Sequence, residues 1–298
     1  MKVLLTGITG FVGQNLMPML LEQCPDNEFL TLNIDVDDAV KKFPSALYSN
    51  FKHVHTTDMT AVKDFNPDII LHLATITTSS NDTAIIHPMI SANIEFGVLL
   101  LDVLKDCSNF KLFVNTGSFG EFMHDSEYYE SAYLYTATKT AFRAFLNYYS
   151  SLAGFKYITG VPYTVYGGNM TVKRIMDYIM ESLDSPTPIG MTAGEQVLDF
   201  VHVNDVASFF IYVINNFEKA MSLDNGANIY LGTGKGTSIR QLAALIEARE
   251  GKKCNIAWGE RPYRERDIMY AVAPIEKNLK LGWKASISLS DSSDPANH

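Results

Sequence analysis

The chain has 298 residues, of which 47% are hydrophobic and 19% are charged, and its formal net charge at pH 7 is -9. This composition is typical of an ordinary α/β protein with a large core. The negative charge excludes nonspecific binding to nucleic acid, which needs a basic face to displace counterions. Three scattered cysteines do not suggest a disulfide framework, and no uninterrupted apolar run reaches the roughly 18 residues of a membrane span, so we expect a soluble cytoplasmic protein.

The N-terminus combines a strand pattern, a glycine-rich turn and a helix pattern. Residues 2–6 (KVLLT) predict a short buried strand that leads into residues 7–13 (GITGFVG), a G-x-x-G-x-x-G sequence. Glycines there let the backbone approach a phosphate, and the N-terminus of the following helix, about residues 11–23, would face the anion. Between a strand and a helix, the motif predicts a dinucleotide-binding fold. The predicted cofactor contacts are Gly7, Gly10, Phe11, Val12 and Gly13.

The second predicted strand, residues 29–34, bears on the choice between NAD and NADP. Its end usually meets the adenosine ribose through a carboxylate, and Asn33 stands at that register, with Asp35 two residues later. An aspartate would repel a 2′-phosphate and an asparagine would not, so Asn33 slightly favours NADPH. No arginine is placed to bind the 2′-phosphate, so NAD stays open. The alternative interpretation is that both residues merely end a strand.

Short apolar strands then alternate with helices. Residues 53–57 predict a third strand that ends at Asp58, residues 69–74 a fourth, and residues 111–115 a fifth after a helix over residues 89–105. This alternation is the signature of a doubly wound parallel sheet. We interpret His72, inside the fourth strand, as a core histidine and not as a ligand.

A candidate catalytic set follows the fifth strand. Residues 135–149 predict a helix, and residues four apart on a helix share a face, so Tyr135 and Lys139 point the same way. A lysine ammonium close to a phenol favours the phenolate and would lower the pKa of the tyrosine toward neutrality. A hydroxyl from the strand end, Ser118 or alternatively Thr116, could then bond the substrate oxygen that gains or loses a proton.

These residues resemble the extended short-chain dehydrogenase/reductase family of nucleotide-sugar epimerases, dehydratases and reductases. The motifs are residues 6–13 (TGITGFVG), 72–74 (HLA), Asn93, 135–139 (YTATK), 163–167 (YTVYG), 199–206 (DFVHVNDV) and 281–284 (LGWK). Within that family three stretches are most similar to the CDP-abequose and paratose synthase group, which reduces the 4-keto group of nucleotide-linked deoxyhexoses. They are residues 115–119 (NTGSF), 194–200 (GEQVLDF) and 264–269 (RERDIM).

The resemblance implies roles for individual residues. Tyr135 would be the proton donor or acceptor, Lys139 its activator and ribose anchor, and Ser118 the third member. Arg264 falls where the family binds the diphosphate of the sugar nucleotide, a role that suits a bidentate guanidinium. Thr164 is a further candidate for substrate binding. Four residues would line the cofactor, two at the adenine and two at its middle: Asp58, Met59, Leu73 and Ala74.

Departures from the family pattern restrict the range of reactions that we expect. Family dehydratases carry an acid two places after the catalytic serine or threonine, where this chain has Phe119 and Gly120, so dehydration lacks its acid. Glu121 comes next, but one residue along a loop usually changes where a side chain points. Leu198 replaces the family's arginine before the DFVH motif, which removes one expected phosphate contact.

The second half of the chain predicts a smaller substrate-binding lobe. Helices are expected over residues 171–182, 204–216 and 238–249, and a strand over residues 228–231. The glycine-rich residues 232–236 lack the order of a phosphate-binding loop and are better interpreted as the loop before the last helix. We assign residues 1–167 to the Rossmann domain, with residues 197–231 returning to it, and residues 168–196 and 232–298 to the lobe.

Together these observations predict an NAD(P)H-dependent reductase of a nucleotide-linked 4-keto-6-deoxyhexose. The first alternative is a nucleotide-sugar 4-epimerase with tightly bound NAD, which would use the same residues. A non-catalytic dinucleotide-binding protein is the second, although a sensor has no need of an activated phenol. We further expect a nucleotide-sugar partner, a homodimer, and neither a metal site nor a nucleic-acid or membrane partner.

Overall fold

The computed structural model describes residues 1–80, 82–123, 128–168 and 173–290. Strands in this part of the chain are β1 (Lys2–Thr6), β2 (Glu28–Asn33), β3 (Phe51–His55), β4 (Ile69–His72), β5 (Leu112–Thr116), β6 (Lys156–Pro162), β7 (Thr164–Tyr166), β8 (Ile189–Met191), β9 (Val197–His202), β10 (Ala227–Leu231), β11 (Gly236–Ser238), β12 (Ile256–Trp258) and β13 (Tyr270–Ala271).

The helices alternate with these strands. They are α1 (Phe11–Gln23), α2 (Val36–Lys42), α3 (Met59–Phe65), α4 (Ile86–Ile90), α5 (Phe96–Leu104), α6 (Leu134–Ala153), α7 (Ile175–Ser182), α8 (Val203–Asn215), α9 (Phe217–Met221) and α10 (Ile239–Glu250). One π-helical stretch, Ser91–Glu95, joins α4 to α5. The predicted helix over residues 171–182 is described from Ile175 onward, and residues 171–172 lie outside the described residues.

The central sheet has seven parallel strands in the order β10-β6-β5-β4-β1-β2-β3. From β1 the chain runs outward to β3, then crosses back to β4 and continues to β6. Ligands of such sheets bind beyond the carboxyl ends of the strands at this reversal, between β1 and β4. The predicted doubly wound Rossmann sheet with a smaller second lobe is confirmed.

The strands of the central sheet are almost continuously apolar because both faces of the sheet are buried. Val3 and Leu5 of β1 face a core layer that includes Leu16 of α1 and Phe209 of α8. Leu4 faces the opposite layer, where α5 and α6 supply their apolar sides. Because successive strand residues point to opposite faces, both sets must be apolar when helices cover both sides.

A second lobe is built on a four-stranded sheet in which β9 pairs with β7, β11 and β13. Within residues 197–231, which we assigned to the Rossmann domain, β10 pairs in the large sheet and α8 packs on it, whereas β9 belongs to the four-stranded sheet. The physical reason is the alternation of β9. Phe200 packs among the apolar residues of α7 and α10, whereas Val201 belongs to the core of the large sheet, so the strand joins the two lobes.

Candidate active site

The glycine loop leaves no room for side chains where β1 meets α1. Gly7 has a φ of +75°, and a Cβ on it would lie 2.6 Å from the backbone nitrogen of Ala74. A Cβ on Gly13 would lie 2.3 Å from the carbonyl oxygen of Gly7, so α1 can start this close to the strand only with glycine there. No side chain caps α1 and its first turn, which is fully described, has no acidic residue. The positive end of the helix therefore stays available to an anion.

A cavity of about 930 Å³ opens in front of this loop at the β1–β4 reversal. Its size suits a small-molecule ligand, and its position is where a dinucleotide binds in this architecture. Six predicted cofactor residues line it: Gly7, Gly10, Asn33, Met59, Leu73 and Ala74. Six others are not part of its wall: Phe11, Val12 and Gly13, which start α1, Tyr135 and Lys139, which lie on α6, and Asp58, whose carboxylate caps α3 through the backbone N–H of Ala61.

The ribose end of the cavity is acidic. Asn33 is buried, and its amide nitrogen donates to the carbonyl and the hydroxyl of Thr31 at 3.1 and 2.8 Å. Asp35 lies at the cavity rim and accepts a hydrogen bond from the backbone N–H of Asp38 at 2.9 Å. The ionisable side chains in the described wall are Asp35, His87, Glu95 and Asp102, with no lysine or arginine.

The candidate catalytic residues meet at the carboxyl end of β5. The Ser118 hydroxyl lies 3.0 Å from the phenol of Tyr135, which belongs to α6. Thr116 takes no part, because its hydroxyl donates to the carbonyl of His72 at 2.8 Å. Of the two hydroxyls that the sequence left open, Ser118 is the one that faces Tyr135.

Burial dominates the proton equilibria of this site. Burial raises the pKa of Tyr135, while the hydrogen bond from Ser118 and the charge of Arg174 act in the opposite direction. Burial also lowers the pKa of Lys139 to about 8, opposed by the charge of Glu121 and assisted by that of Arg143. The expected lowering of the Tyr135 pKa by Lys139 is therefore not found: Lys139 is not among the groups that shift this pKa, and desolvation of the phenolate is the largest effect on it.

His72 is the core histidine that the sequence predicted. Its Nδ1 lies 3.0 Å from the hydroxyl of Thr6. Burial and the charge of Lys139 lower the pKa of His72 to about 3, so it is neutral at physiological pH. Thr6 in turn accepts hydrogen bonds from the backbone N–H groups of Leu73 and Ala74, which fixes the edge of the cofactor cavity.

Glu121 is not available as the acid of a dehydration. The residue is fully buried, and both of its carboxylate oxygens accept hydrogen bonds from Arg143. Phe119, the first of the two residues that follow Ser118, stacks its ring on Tyr163 with centroids 5.6 Å apart. The sequence-based expectation that the site lacks this acid agrees with both contacts.

The predicted substrate residue Arg264 lies near Tyr133, the neighbour of Tyr135. Arg264 is exposed, and its backbone N–H donates to the Asp267 carboxylate at 2.9 Å. Burial raises the pKa of Tyr133, as does the charge of Asp267, whereas Arg264 lowers it, so both charged groups lie near this phenol. The Tyr133 ring is parallel to that of Tyr135 at 6.1 Å between centroids, which places Arg264 beside the catalytic set.

Two further features concern the second lobe. The buried hydroxyl of Thr164 has no hydrogen-bond partner within the described residues, so a ligand could supply one.

The glycine-rich loop at residues 232–236 is not free to bind phosphate. The backbone N–H groups of Thr233 and Gly234 already donate to the buried carboxylate of Asp199.

Arg174 is a functional candidate that the sequence did not single out. It precedes α7, its guanidinium lies 4.7 Å from the ring centroid of Phe11, and its Nη1 donates to the carbonyl of Val165 at 3.1 Å. For Nε and Nη2 the described residues provide no hydrogen-bond partner. A single arginine before a helix carries no sequence signal, and only the fold brings it to the glycine loop and to Tyr135.

The fold and this site define a class: dinucleotide-dependent enzymes with a serine, tyrosine and lysine at the carboxyl ends of a doubly wound sheet. The family model described as "NAD dependent epimerase/dehydratase family" matches residues 3–225. The chain belongs to this family and is an enzyme of the extended short-chain dehydrogenase/reductase type.

Relatives and a solved structure extend this likeness over nearly the whole chain. CDP-abequose synthase of Yersinia pseudotuberculosis is 24% identical over 90% of this chain and 91% of its own length. The CDP-abequose synthase of Salmonella typhimurium is 26% identical over 95% and 92%. A structure of UDP-glucuronic acid 4-epimerase from Bacillus cereus has the same fold, with a TM-score of 0.84, 18% identity and coverage of 98% and 96% of the two chains.

Proposed function

We propose that this protein reduces the 4-keto group of a nucleotide-linked 6-deoxyhexose with a reduced nicotinamide cofactor. The observation that carries the proposal is the 3.0 Å contact between Ser118 and Tyr135, in a site where Glu121, the carboxylate closest in sequence to Ser118, is paired with Arg143. The similarity to two CDP-abequose synthases supports the same reaction class.

The residues of the site suit proton donation to a ketone. When bound, the nicotinamide cofactor supplies the hydride. Because the pKa of Tyr135 is raised, its phenol holds a proton at neutral pH and can donate it to the carbonyl oxygen. The Ser118 hydroxyl is placed to bond the same oxygen, and Lys139, with a pKa of about 8, can return a proton to the phenol.

We propose NADH as the physiological cofactor. The NADPH preference suggested by Asn33 alone has little support in the cavity, because the amide nitrogen of Asn33 is bonded to Thr31 and does not serve as a donor to a 2′-phosphate. Asp35 stands at the rim instead, and the wall has no cation in its described residues. A 2′-phosphate would meet repulsion there, whereas a 2′-hydroxyl could donate to the carboxylate.

We assign the diphosphate of the substrate to Arg264 and Arg174. Arg264 lies beside Tyr133 on the substrate side, and Arg174 lies between the glycine loop and Tyr135. Leu198 occupies the position on β9 where the family usually has an arginine, so that positive charge is absent there. Leu198 packs with apolar residues of the second lobe. Arg174 supplies a positive charge from a different element, and Thr164 offers an unpaired hydroxyl nearby.

The test is a direct assay with cofactor stoichiometry. Purified protein is incubated with the 4-keto-6-deoxyhexose linked to CDP, UDP, GDP or dTDP, and NADH oxidation and products are followed together. One NADH consumed per reduced sugar is the expected result. The second candidate, a 4-epimerase, is favoured by the epimerase fold of the solved structure and predicts interconversion of sugars without net NADH consumption. If neither activity is observed with any of these substrates, the remaining interpretation is a non-catalytic dinucleotide-binding protein.

We also propose that the protein is a cytoplasmic homodimer. The helix Thr83–Leu104 is long and apolar enough to cross a membrane by length and composition alone, but its inner face packs on the sheet through Leu100, Leu101 and Leu104. Its outer face exposes Leu99, and the neighbouring helix α6 exposes Phe145 and Leu152. A second copy would bury these side chains, so Phe145→Glu should convert a dimer into a monomer in sedimentation experiments.

A further inference from the structure

A buried ion pair joins the segment that carries Ser118 to the helix that carries Tyr135 and Lys139. Glu121 follows Ser118 in a short 3₁₀-helix and is fully buried, and Arg143 on α6 is 6% exposed. The Nε of Arg143 donates to Oε2 of Glu121 at 2.8 Å, and its Nη2 donates to Oε1 at 3.1 Å. This is the bidentate geometry that makes such contacts both strong and directional.

Both members of the pair make further hydrogen bonds. Oε1 of Glu121 accepts the backbone N–H of Ser118 at 2.9 Å, and Oε2 accepts the hydroxyl of Thr140 at 3.2 Å. The Nη1 of Arg143 donates to the side-chain oxygen of Asn228 at 2.8 Å. The network therefore fixes the backbone of Ser118 relative to α6 and to β10.

The strand end leaves space for this network. A Cβ on Gly117 would lie 2.6 Å from Oε1 of Glu121 and 2.8 Å from Nη2 of Arg143. Well-packed apolar side chains often stabilise a fold as well as a buried ion pair does, because burying two charges costs desolvation energy. Stability alone therefore does not account for a buried ion pair of Glu121 and Arg143. The neighbours of this pair, Ser118 and Lys139, suggest a role in the candidate active site.

Both charges act on Lys139. Arg143 lies one helical turn after Lys139 on α6, and Glu121 faces α6 from the segment after β5. The other titratable groups near Lys139 are His72 from β4, which is neutral, and Tyr135 on its own helix. The carboxylate favours the charged form of the lysine and the guanidinium disfavours it.

We propose that Glu121 and Arg143 are positioning residues that hold Ser118 against Tyr135 and set the charge state of Lys139. This inference rests on the proposed function, since it concerns the same three residues. Its two parts make different predictions. Loss of either partner should misplace Ser118, whereas the charge of Lys139 should respond in opposite directions to the two losses.

The decisive measurement follows the titration of Lys139 itself. Protein labelled with ¹³C at lysine Cε is titrated by NMR, and Lys139→Met identifies the signal. Glu121→Gln removes the carboxylate charge and keeps the guanidinium charge, so the titration midpoint of Lys139 should shift downward from about 8 by roughly one pH unit. Arg143→Gln removes the guanidinium charge and should shift the midpoint upward by a similar amount. Shifts in the same direction, or no shift, would overturn the electrostatic part. No substrate is needed, so this result stands apart from failure of the proposed reaction.

Kinetics test the positioning part. Glu121→Gln should lower kcat about 10-fold to 100-fold with less than about a threefold change in KM. The glutamine amide keeps one oxygen, but its nitrogen cannot accept from Arg143, so the bidentate pair that holds Ser118 is broken while the substrate still binds. Glu250→Gln, which breaks an exposed pair with Arg249, is the matched control and should keep wild-type kcat.

A double variant keeps the proposal testable if the single variants do not fold. Glu121→Gln combined with Arg143→Met removes both charges, so the Lys139 midpoint should return close to that of the wild type while kcat stays low. Wild-type kcat in any folded variant of this pair, with circular dichroism as the check on folding, would contradict the positioning role.

Discussion

Ser118 and Tyr135 place their hydroxyl oxygens 3.0 Å apart although they belong to different elements, one at the end of β5 and one at the start of α6. A carbonyl oxygen bound at this contact could accept hydrogen bonds from both groups. Burial keeps the phenol protonated, so the pair is suited to donate a proton to the ketone oxygen in the reduction that we propose.

Replacement of Tyr135 by phenylalanine should lower kcat for ketone reduction by about 10² to 10⁴, the usual contribution of a positioned acid. NADH binding should change little, because only the hydroxyl is removed. Tyr148→Phe is the control, since Tyr148 is 60% exposed on the same helix. Near-wild-type turnover by Tyr135→Phe would show that another group donates the proton.

Arg174→Gln should raise KM for the nucleotide sugar about tenfold or more, because a hydrogen bond to a charged group contributes about 1.5–3 kcal/mol. The Kd of NADH, followed by fluorescence, should change less than about threefold, and Arg174→Lys should restore part of the loss. Lys173→Gln, at an exposed neighbour paired with Glu181, is the control. A large change in NADH affinity would instead assign Arg174 to the diphosphate of the cofactor.

Asp35→Asn should increase the ratio of kcat/KM for NADPH to that for NADH by roughly tenfold, about 1.4 kcal/mol. Asparagine can still cap α2, so the substitution removes the negative charge at the cavity rim with little effect on the helix. Asp37→Asn, in the same first turn but outside the cavity wall, is the control. An unchanged ratio would mean that Asp35 does not face the ribose.

The pH dependence of stability should report the burial of Lys139. Its pKa is about 8 in the folded protein against an ordinary 10.5, so between these values the unfolded chain binds more protons. The free energy of unfolding should therefore rise with pH across that window, by up to about 1.4 kcal/mol per pH unit, relative to Lys139→Met. Urea unfolding of both proteins across that range measures the difference, and parallel curves would show that the lysine is not desolvated.

Several elements follow from local pattern. The glycine loop, the alternation of strands and helices and the four-residue spacing of Tyr135 and Lys139 are short-range features, and the fold that they predict is confirmed. The pairing of β9 within the second lobe does not follow from local pattern, because the pairing partner of a strand depends on which lobe its side chains pack into. The expected lowering of the Tyr135 pKa was wrong because the sequence shows a charge nearby but not the depth of burial.

The amino-acid sequence by itself determined the class of fold, the place of the cofactor and the identity of the candidate acid and lysine, because periodicity and spacing act within a single strand or helix. Only the tertiary structure decided that Ser118 and not Thr116 meets Tyr135, that Arg143 neutralises Glu121, and that Arg174 reaches the glycine loop. These contacts join segments that are separate in sequence, and packing of the strands and helices around the sheet brings them together.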